Sequence, residues 1–370
     1  MSSRPLASPS SSLEDAASPF IDNGAQLRIG ISGWTYKPWR GTFYPPKWPQ
    51  KKELAYASRE VNSIEINGSF YSLQRPTSYQ QWYVQTPDNF LFSVKGGRFI
   101  THLKRLQNVE TPLANFFASG VLCLREKLGP ILWQLPPHFL YHEEKLRKFF
   151  NLLPRTTREA ADLATHHDER LNGRAWTEAE ADCPIRYALE IRHESFRTPE
   201  FVALLREHRI GLVIADTAGK WPFFEDTTTD VVYIRLHGDE ELYVSGYTDD
   251  ALEKWRTKIS AWAHGKSPRE AQTIAPREKS PPPKRDVFVY FDNDVKVRAP
   301  FDAMSLAHKL GVGPKPPMGP DPKTIAEVAR TVWPTMVRAS GDRRWSLGRT
   351  KRPRAASKGR TAGKPREIPE

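Results

Sequence analysis

The segment VVYIRLHG (residues 231–238) shows how this chain builds its sheet. Most of its residues are β-branched, aromatic or otherwise apolar, as in a strand, and the charged Arg235 and His237 alternate with the apolar Ile234 and Leu236. A period of two places the two sets on opposite faces of a strand. The segment therefore predicts a strand with one apolar face and one face that carries ionisable groups near its C-terminal end.

Seven further runs of the same kind occur along the chain. They are LRIGIS (27–32), SIEIN (63–67), FLFSVK (90–95), ILWQL (131–135), YALEIR (187–192), GLVIAD (211–216) and VFVYFDND (287–294). Stretches with helical spacing lie between them, for example TPEFVALLREHRIG and TDDALEKWRTKISAWAHG. Eight strands that alternate with helices predict an α/β protein with a single TIM-type (β/α)8 barrel; the strand count alone leaves a doubly wound open sheet as the alternative.

Polar and proline-rich segments flank and interrupt this alternation. Residues 1–26 are rich in Ser, Pro and Ala without an apolar period, and we expect them to be disordered. The barrel is predicted over 27–311. Insertions at about 156–182 and 266–285 are polar and charged, so we expect them to loop out of the fold and to be dispensable to it. Residues 312–370 predict a mostly disordered tail that is first proline-rich and then basic.

The basic character of the chain lies mainly in that tail. The net charge is +12, and residues 338–370 hold eleven basic and three acidic residues, so this part alone carries +8. Two basic clusters in RRWSLGRTKRPR (343–354) predict nuclear import or weak nucleic-acid contact through the tail, with solubilising disorder as the alternative. No run approaches the roughly 20 apolar residues of a membrane-spanning helix. We therefore expect an intracellular protein, cytoplasmic or nuclear, with no membrane contact.

Ionisable or amide side chains end the other predicted strands as well. They are Glu65 and Asn67, Lys95, Gln134, Glu190 and Arg192, Asp216, and Asp292. In a closed barrel such strand ends meet at one mouth, where barrel enzymes place their chemistry. Burying so many ionisable groups is costly unless they pair or meet a ligand, so the set predicts a functional site. The alternative is that Glu190 and Arg192 form a structural ion pair, as do Glu65 and Arg235.

The loops after the strands add candidate ligand contacts. Trp34 and Tyr36 follow the first strand, where their rings can stack on a sugar or a base; a hydrophobic lid that packs on neighbouring loops is the alternative. Tyr71, Tyr243 and Tyr247 are further candidate binding residues. Basic residues gather after the third strand, and together with Arg192 and Arg235 they favour an anionic ligand, a phosphate or a carboxylate; they are Lys95, Arg98, His102, Lys104 and Arg105.

Three classes of function fit these candidates. The preferred class is a hydrolase- or isomerase-type enzyme that uses acid/base chemistry on an anionic, polyhydroxylated small molecule or nucleotide. Its base is Glu190 or Glu65, its acid is His237, and Arg235, Arg192 or Lys95 holds the anion, with Asp292 as a further catalytic candidate.

The second class is a metal-dependent phosphodiesterase or isomerase, and the third is a non-catalytic nucleic-acid or protein-binding module. The metal ligands would be Glu65, Glu190, Asp216, His237 and Asp292. These residue types suit Mn or Zn, but no local ligand motif such as HExxH supports a divalent metal. A nucleotide cofactor is not predicted either, because the chain lacks a Gly-rich dinucleotide fingerprint and a P-loop lysine.

Seven longer blocks join these strands to the residues that follow them. They are GISGWTYKPWRGTFYP, EINGSFY, FSVKGGRFITHLKRL, LGPILWQLPPHF, ALEIRHESF, VYIRLHG followed by YVSGYTDDALEKW, and VYFDNDVKVRAPFDAMSLA. In this order they resemble the successive blocks of the YecE-like family (domain of unknown function 72), over nearly the whole predicted barrel. The resemblance implies a TIM-type barrel of undetermined activity and supplies no catalytic residues. The chain departs from the family at Ser69, where the family usually has Thr, and this change keeps the hydroxyl group.

Overall fold

Eight parallel strands form a closed barrel in which each strand pairs with the next and β1 also pairs with β8. The computed structural model describes residues 18–238, 246–293 and 297–317. The strands are β1 Leu27–Ser32, β2 Ser63–Ile66, β3 Leu91–Lys95, β4 Leu128–Gln134, β5 Tyr187–Glu190, β6 Ile210–Asp216, β7 Val231–Leu236 and β8 Asp286–Phe291. The TIM-type barrel predicted from the sequence is confirmed, and the open sheet is excluded.

Nine α-helices occur in the described parts of the chain. They are α1 Glu53–Glu60, α2 Gly68–Tyr71, α3 Pro76–Gln85, α4 Glu110–Ala118, α5 Glu143–Asn151, α6 Thr157–Ala164, α7 Pro199–Glu207, α8 Asp249–Ala263 and α9 Arg298–Lys309. At the start of α8 the side chain of Thr248 accepts a hydrogen bond from the backbone N–H of Ala251, which is the usual N-cap contact. Among these helices, none has the length and apolar character needed to cross a membrane.

Strand parity separates the apolar side chains into two groups. The group inside the barrel consists of Leu132, Ala188, Val213, Ala215, Val231, Tyr233, Phe288 and Tyr290. The other apolar residues of the strands, such as Ile64, Leu189 and Ile234, belong to the main core that also includes helix residues. Because Glu65 and Arg235 alternate with this second group, their side chains point to the barrel axis, as the sequence pattern predicted.

Hydrogen-bonded tyrosines fill the middle of the barrel. The hydroxyl of Tyr290 lies 2.7 Å from Ser63 Oγ and 2.8 Å from Ser93 Oγ. The ring of Tyr233 packs on that of Tyr290 with the centroids 5.3 Å apart, and its hydroxyl donates to Glu65 Oε2 at 2.6 Å. These contacts make a buried polar floor, which fixes the lower side of the charged residues at the C-terminal end.

The segment 156–182 is not the exposed loop that its polarity suggested. It contains α6, which packs against α4 and buries Ala160, Ala161 and Ala164. Alanine adds little to an apolar pattern in the sequence, yet its small side chain lets two helices approach closely. The expectation that this segment loops out of the fold is therefore wrong.

The segment 266–285 contains no helix or strand, but it is attached to the barrel domain. The buried carboxylate of Asp226 accepts hydrogen bonds from the backbone N–H groups of Ile274 at 2.8 Å and Ala275 at 3.0 Å. Glu225 Oε2 accepts another from the N–H of Gln272 at 2.9 Å. The segment is thus an anchored loop rather than a free one.

The N-terminal segment is partly ordered, in contrast to the expectation for residues 1–26. Phe20 and Gln26 form an antiparallel bridge, and Ala25 is buried against the core. Residues 1–17 and the predicted basic tail lie outside the described residues.

Candidate functional site

Arg235 lies at the centre of the C-terminal end of the barrel, and carboxylates from three other strands converge on it. Its Nε and Nη2 donate to Glu65 Oε2 and Oε1 at 3.1 and 2.9 Å. Nη1 donates to Glu190 Oε2 and Nη2 to Asp292 Oδ2, both at 2.8 Å, and Nη1 also lies 3.3 Å from His237 Nε2. All five N–H groups of this wholly buried guanidinium are therefore engaged.

Both carboxylate oxygens of Glu65 are also occupied by hydrogen bonds. Besides Arg235, its Oε1 accepts a hydrogen bond from Ser32 Oγ at 2.8 Å and its Oε2 accepts one from the Tyr233 hydroxyl at 2.6 Å. Arg235 keeps no N–H group for a ligand anion, and Glu65 keeps no oxygen for a substrate proton. The structural ion pair that the sequence left open describes these two residues better than the roles of anion holder and base.

Glu190 is held from three sides. Gln134 Nε2 lies 2.9 Å from both of its carboxylate oxygens, and Arg192 Nε donates to Oε1 at 2.7 Å. Burial by itself would raise the pKa of Glu190, but the guanidinium groups of Arg192 and Arg235 hold this pKa well below its usual range. A carboxylate with so low a pKa is a weak base, so the geometry does not favour Glu190 as the general base.

His237 and Asp292 form a pair beside Arg235. His237 Nδ1 lies 3.1 Å from Asp292 Oδ2. Burial lowers the pKa of His237, and the charge of Arg235 lowers it further, so the ring is neutral near pH 7 and is a poor acid. Because Arg235 donates to Nε2, the ring proton belongs on Nδ1, on the side of the ring that faces Asp292.

Asp292 differs from the other two carboxylates because it reaches solvent. Its side chain is 15% exposed, whereas those of Glu65 and Glu190 are fully buried. Burial would raise the pKa of Asp292, but Arg235 and His237 hold this pKa at about 2. Its Oδ2 is occupied, and its Oδ1 makes no hydrogen bond to any residue that the structure describes.

Two cationic side chains with open N–H groups complete the site. Arg192 uses Nε for Glu190 and stacks its guanidinium 3.8 Å from the ring centroid of Trp221, while Nη1 and Nη2 bind no residue of the described chain. Lys95 ends β3, and its Nζ lies 4.4 Å from the ring centroid of Phe70 without an acceptor among the described side chains or backbone groups. Burial lowers the pKa of Lys95 to about 8, and the charge of Arg235 acts in the same direction.

Phe70 connects Lys95 to His102. The Phe70 and His102 rings meet edge to face with their centroids 5.1 Å apart. Burial lowers the pKa of His102 to about 4, with Arg192 and Lys95 contributing, so this ring is neutral at pH 7. The Ser69 hydroxyl lies 2.6 Å from the backbone oxygen of Lys95, which fixes the short helix α2 and Phe70 against the end of β3.

Several other candidates sit near the strand ends without joining the charged group. Trp34 packs edge to face on Trp82 at 5.3 Å, and the Tyr36 hydroxyl donates to the backbone oxygen of Ser32 at 2.8 Å, so both take part in loop packing. Tyr71 is 69% exposed. Asn67 Oδ1 is buried and has no hydrogen-bond partner within the described chain.

Asp216 does not join the charged side chains at the mouth of the barrel, where the sequence analysis placed it. It has the parity of Leu212 and Ile214, which pack outside the barrel, and its Oδ2 accepts a hydrogen bond from the Tyr247 hydroxyl at 3.0 Å. Asp216 and Tyr247 therefore form a pair beside the charged group rather than within it. Tyr243 lies outside the described residues.

The metal ligands proposed from the sequence surround a positively charged side chain of the protein itself, the guanidinium of Arg235. Arg235 stands between Glu65, Glu190 and Asp292, where a metal ion would have to bind. Across residues 18–238, 246–293 and 297–317, no three His, Cys, Asp or Glu side chains come together as a ligand set. The arrangement of these carboxylates thus suits a guanidinium and does not favour the metal-dependent alternative.

Sequence reasoning missed Phe70 and Trp221, the aromatic partners of the two open cations. Phe70 lies in the short helix α2 that follows β2, and Trp221 lies in the loop after β6. Trp221 also lines a cleft of ≈ 1260 Å³ between the loop after β6 and α8. Trp34 and Tyr36 were chosen because they are aromatic residues a few positions after a barrel strand. The same criterion would have identified Phe70 and Trp221.

Known proteins share parts of this sequence. The family model described as "Protein of unknown function DUF72" matches residues 28–326. The chain is 31% identical over 118 residues to the UPF0759 protein YunF of Bacillus subtilis, and 28% identical over 115 residues to the UPF0759 protein YecE of Escherichia coli K12. Each alignment covers 30% of this chain, but only 41% of YunF and 39% of YecE.

Solved structures of DUF72 family proteins share the barrel. A protein of Thermotoga maritima matches with a TM-score of 0.57 and 22% identity over 77% of this chain and 98% of its own length. One of Enterococcus faecalis V583 matches with a TM-score of 0.57 and 17% identity over 80% of this chain and 100% of its own. At these identities the likeness concerns the fold alone. Because the family model matches most of the chain, the protein belongs to the DUF72 family, the YecE-like proteins of unknown function.

Proposed function

We propose that the mouth of the barrel binds a small anionic, polyhydroxylated molecule and transfers protons to or from it. One observation carries this proposal: Arg192 and Lys95 have N–H groups that no residue of the described chain engages. A guanidinium with open Nη1 and Nη2 is suited to bidentate binding of a carboxylate or a phosphate. Stacking on Trp221 fixes the plane of the Arg192 guanidinium, so little conformational freedom is lost when the anion binds.

Lys95 is the group to which we assign proton transfer. Its pKa of about 8, set by burial and by Arg235, lies close to neutral pH, where a general acid or base is most effective. Glu190 and His237, the base and acid suggested by the sequence, have pKa values that move away from neutrality. Lys95 can therefore change its protonation state during a reaction, whereas these two groups keep theirs.

Polar groups at the mouth of the barrel suit the hydroxyl groups of the ligand. His102 is neutral at pH 7 because burial lowers its pKa to about 4. Asn67 Oδ1 and Asp292 Oδ1 are acceptors without partners among the described residues. A molecule with one anionic group and several hydroxyl groups would satisfy these atoms together.

Arg192→Lys tests the anion site, and Arg197→Lys is its matched control. Arg197 also binds a carboxylate through Nε, Glu194 at 2.9 Å, and also lies over a ring, Phe224 at 4.6 Å, but its side chain is 54% exposed. The probes are inorganic phosphate, glycerol 3-phosphate and ribose 5-phosphate, measured by calorimetry and by ligand-dependent thermal shifts.

We expect the wild type and Arg197→Lys to bind at least one sugar phosphate equally. Arg192→Lys keeps the positive charge but loses the paired Nη1 and Nη2 donors. Its affinity for the sugar phosphate should therefore fall about tenfold, or ~1.4 kcal/mol. Equal affinity in Arg192→Lys and the wild type, or no binding of any probe by the wild type, would contradict the proposal.

A further inference from the structure

We propose that Lys95 acts as a nucleophile whose Nζ forms an imine with the carbonyl carbon of the ligand, so that the substrate is an anionic aldehyde or ketone. This inference rests on the proposed function, because the anionic group is the part that Arg192 holds. It goes further by naming the reacting group of the substrate and the covalent bond that the protein makes with it.

A comparison of two buried lysines carries the argument. Lys127 and Lys95 are 2% and 7% exposed, and each places Nζ 4.4 Å from the centroid of an aromatic ring. Lys127 Nζ donates to the backbone oxygens of Tyr83 at 2.8 Å and Thr86 at 2.9 Å. Lys95 Nζ has no such acceptor in any described part of the chain. Since an unpaired buried ammonium is costly, the position raises the share of the neutral amine, which is the nucleophilic form.

The surroundings of Lys95 support the same chemistry. Phe70 covers one side of the amine with an apolar ring, and the cation Arg235 disfavours a second positive charge nearby. A pKa of about 8 leaves roughly a tenth of the amine neutral at pH 7, compared with roughly one part in 3,000 for an ordinary lysine. Lysines in other enzymes that form imines are activated by desolvation or by a neighbouring cation, and both conditions hold here.

The reaction balances with water as its only other product. The lone pair of neutral Lys95 Nζ attacks the carbonyl carbon, a C–N bond forms, and the carbonyl π bond moves to oxygen. One proton passes from nitrogen to that oxygen and gives a carbinolamine. The C–O bond then breaks, the second nitrogen proton leaves with the oxygen as water, and a C=N bond remains. A proton from solvent can then bind the imine nitrogen, and the carboxylates of Glu65, Glu190 and Asp292 favour the positive charge of this protonated imine.

Borohydride trapping on the full chain tests this proposal, with pyridoxal 5′-phosphate as the probe because it joins an aldehyde to a phosphate. The protein is incubated with limiting probe at pH 7 and reduced, and the labelled lysines are quantified by peptide mass spectrometry. We expect Lys95 to label at least about tenfold faster than the exposed Lys51, and Lys127 to remain unlabelled. Lys95→Arg keeps the positive charge and cannot form an imine, so the fast label should disappear.

Competition separates this inference from the proposed function. Excess inorganic phosphate should slow the labelling of Lys95 by pyridoxal phosphate, but not its labelling by the uncharged probe glyceraldehyde. If sugar phosphates bind and Lys95 labels no faster than Lys51, the imine is refuted and the anion site stands. If both probes label Lys95 rapidly and phosphate has no effect, the imine stands and the anion site is refuted.

Discussion

Replacing Lys95 with methionine is expected to stabilise the fold at pH 7. Burial and Arg235 lower the pKa of Lys95 from 10.5 to about 8, so the charged form is less favourable in the folded chain than in the unfolded one. The penalty is therefore complete below pH 8 and disappears as the pH rises above 10.5. A pKa difference of about 2.5 at ~1.36 kcal/mol per pKa unit gives a penalty of about 3 kcal/mol at pH 7.

Methionine removes this penalty and changes the contact with Phe70. The lost cation–π contact is worth ~0.5–2 kcal/mol, and a sulfur–aromatic contact returns ~0.3–1.5 kcal/mol. The net gain in the free energy of unfolding is therefore about 1–4 kcal/mol at pH 7. Lys127→Met is the control: it leaves the backbone oxygens of Tyr83 and Thr86 without their donor and should destabilise by ~1–3 kcal/mol.

Urea unfolding of the wild type and of Lys95→Met at pH 7 and pH 10 measures the effect. Other groups titrate in this range, so the quantity of interest is the difference between the two proteins. That difference should shrink by about 2 kcal/mol from pH 7 to pH 10, because the wild type loses its penalty as Lys95 deprotonates. The reasoning is refuted if Lys95→Met is less stable than the wild type at pH 7 and the difference does not change with pH.

Three further predictions can be tested directly. Glu65→Gln should lower the free energy of unfolding by ~3–5 kcal/mol, because it removes one partner of a fully buried ion pair; denaturant unfolding checks this, with the exposed Glu194→Gln as a control that should change little. Excision of 156–182 should abolish cooperative thermal unfolding or lower Tm markedly, since it removes α6 from α4; an unchanged melt would show that α6 contributes nothing. Fusion of 338–370 to a cytosolic reporter should direct it to the nucleus or confer salt-dependent DNA binding, whereas an evenly distributed, non-binding reporter would leave only solubilising disorder.

The barrel could be predicted because its signals are local and regular. Around the C-terminal ends of β5 and β7, in the segments YALEIR and YIRLH, apolar residues alternate with charged ones, and this period of two fixes both the strand and the face that points inward. Helix α6 was not predicted because alanines form its buried face. The anchored loop 266–285 was not predicted because its hydrogen-bond partner Asp226 lies far away in the sequence and has no local pattern.

Strand parity also predicted which charged side chains meet, but it could not separate the residues that hold the barrel together from those that remain open. Arg235 and Arg192 are the same residue type with the same parity. The difference between them lies in the number of acceptors within reach: five N–H groups are engaged for Arg235 and one for Arg192. Apart from His237, the acceptors around Arg235 lie on or directly after other strands, so their positions depend on the stagger of the closed barrel.

Some charged side chains are fully paired and others keep open polar atoms. The position of a residue along its strand explains this difference better than its residue type does. Glu65 and Arg235 lie within their strands and Glu190 is the last residue of β5; all three are fully buried, so their polar atoms must be paired inside the protein. Arg192 and Asp292 lie one or two residues beyond the ends of β5 and β8, where solvent or a ligand can replace a protein partner. A charged residue that follows the last paired residue of a barrel strand is therefore the better functional candidate. Lys95 is the last residue of β3, buried like the first group and open like the second, and for this combination we propose its amine as the reactive group of the site.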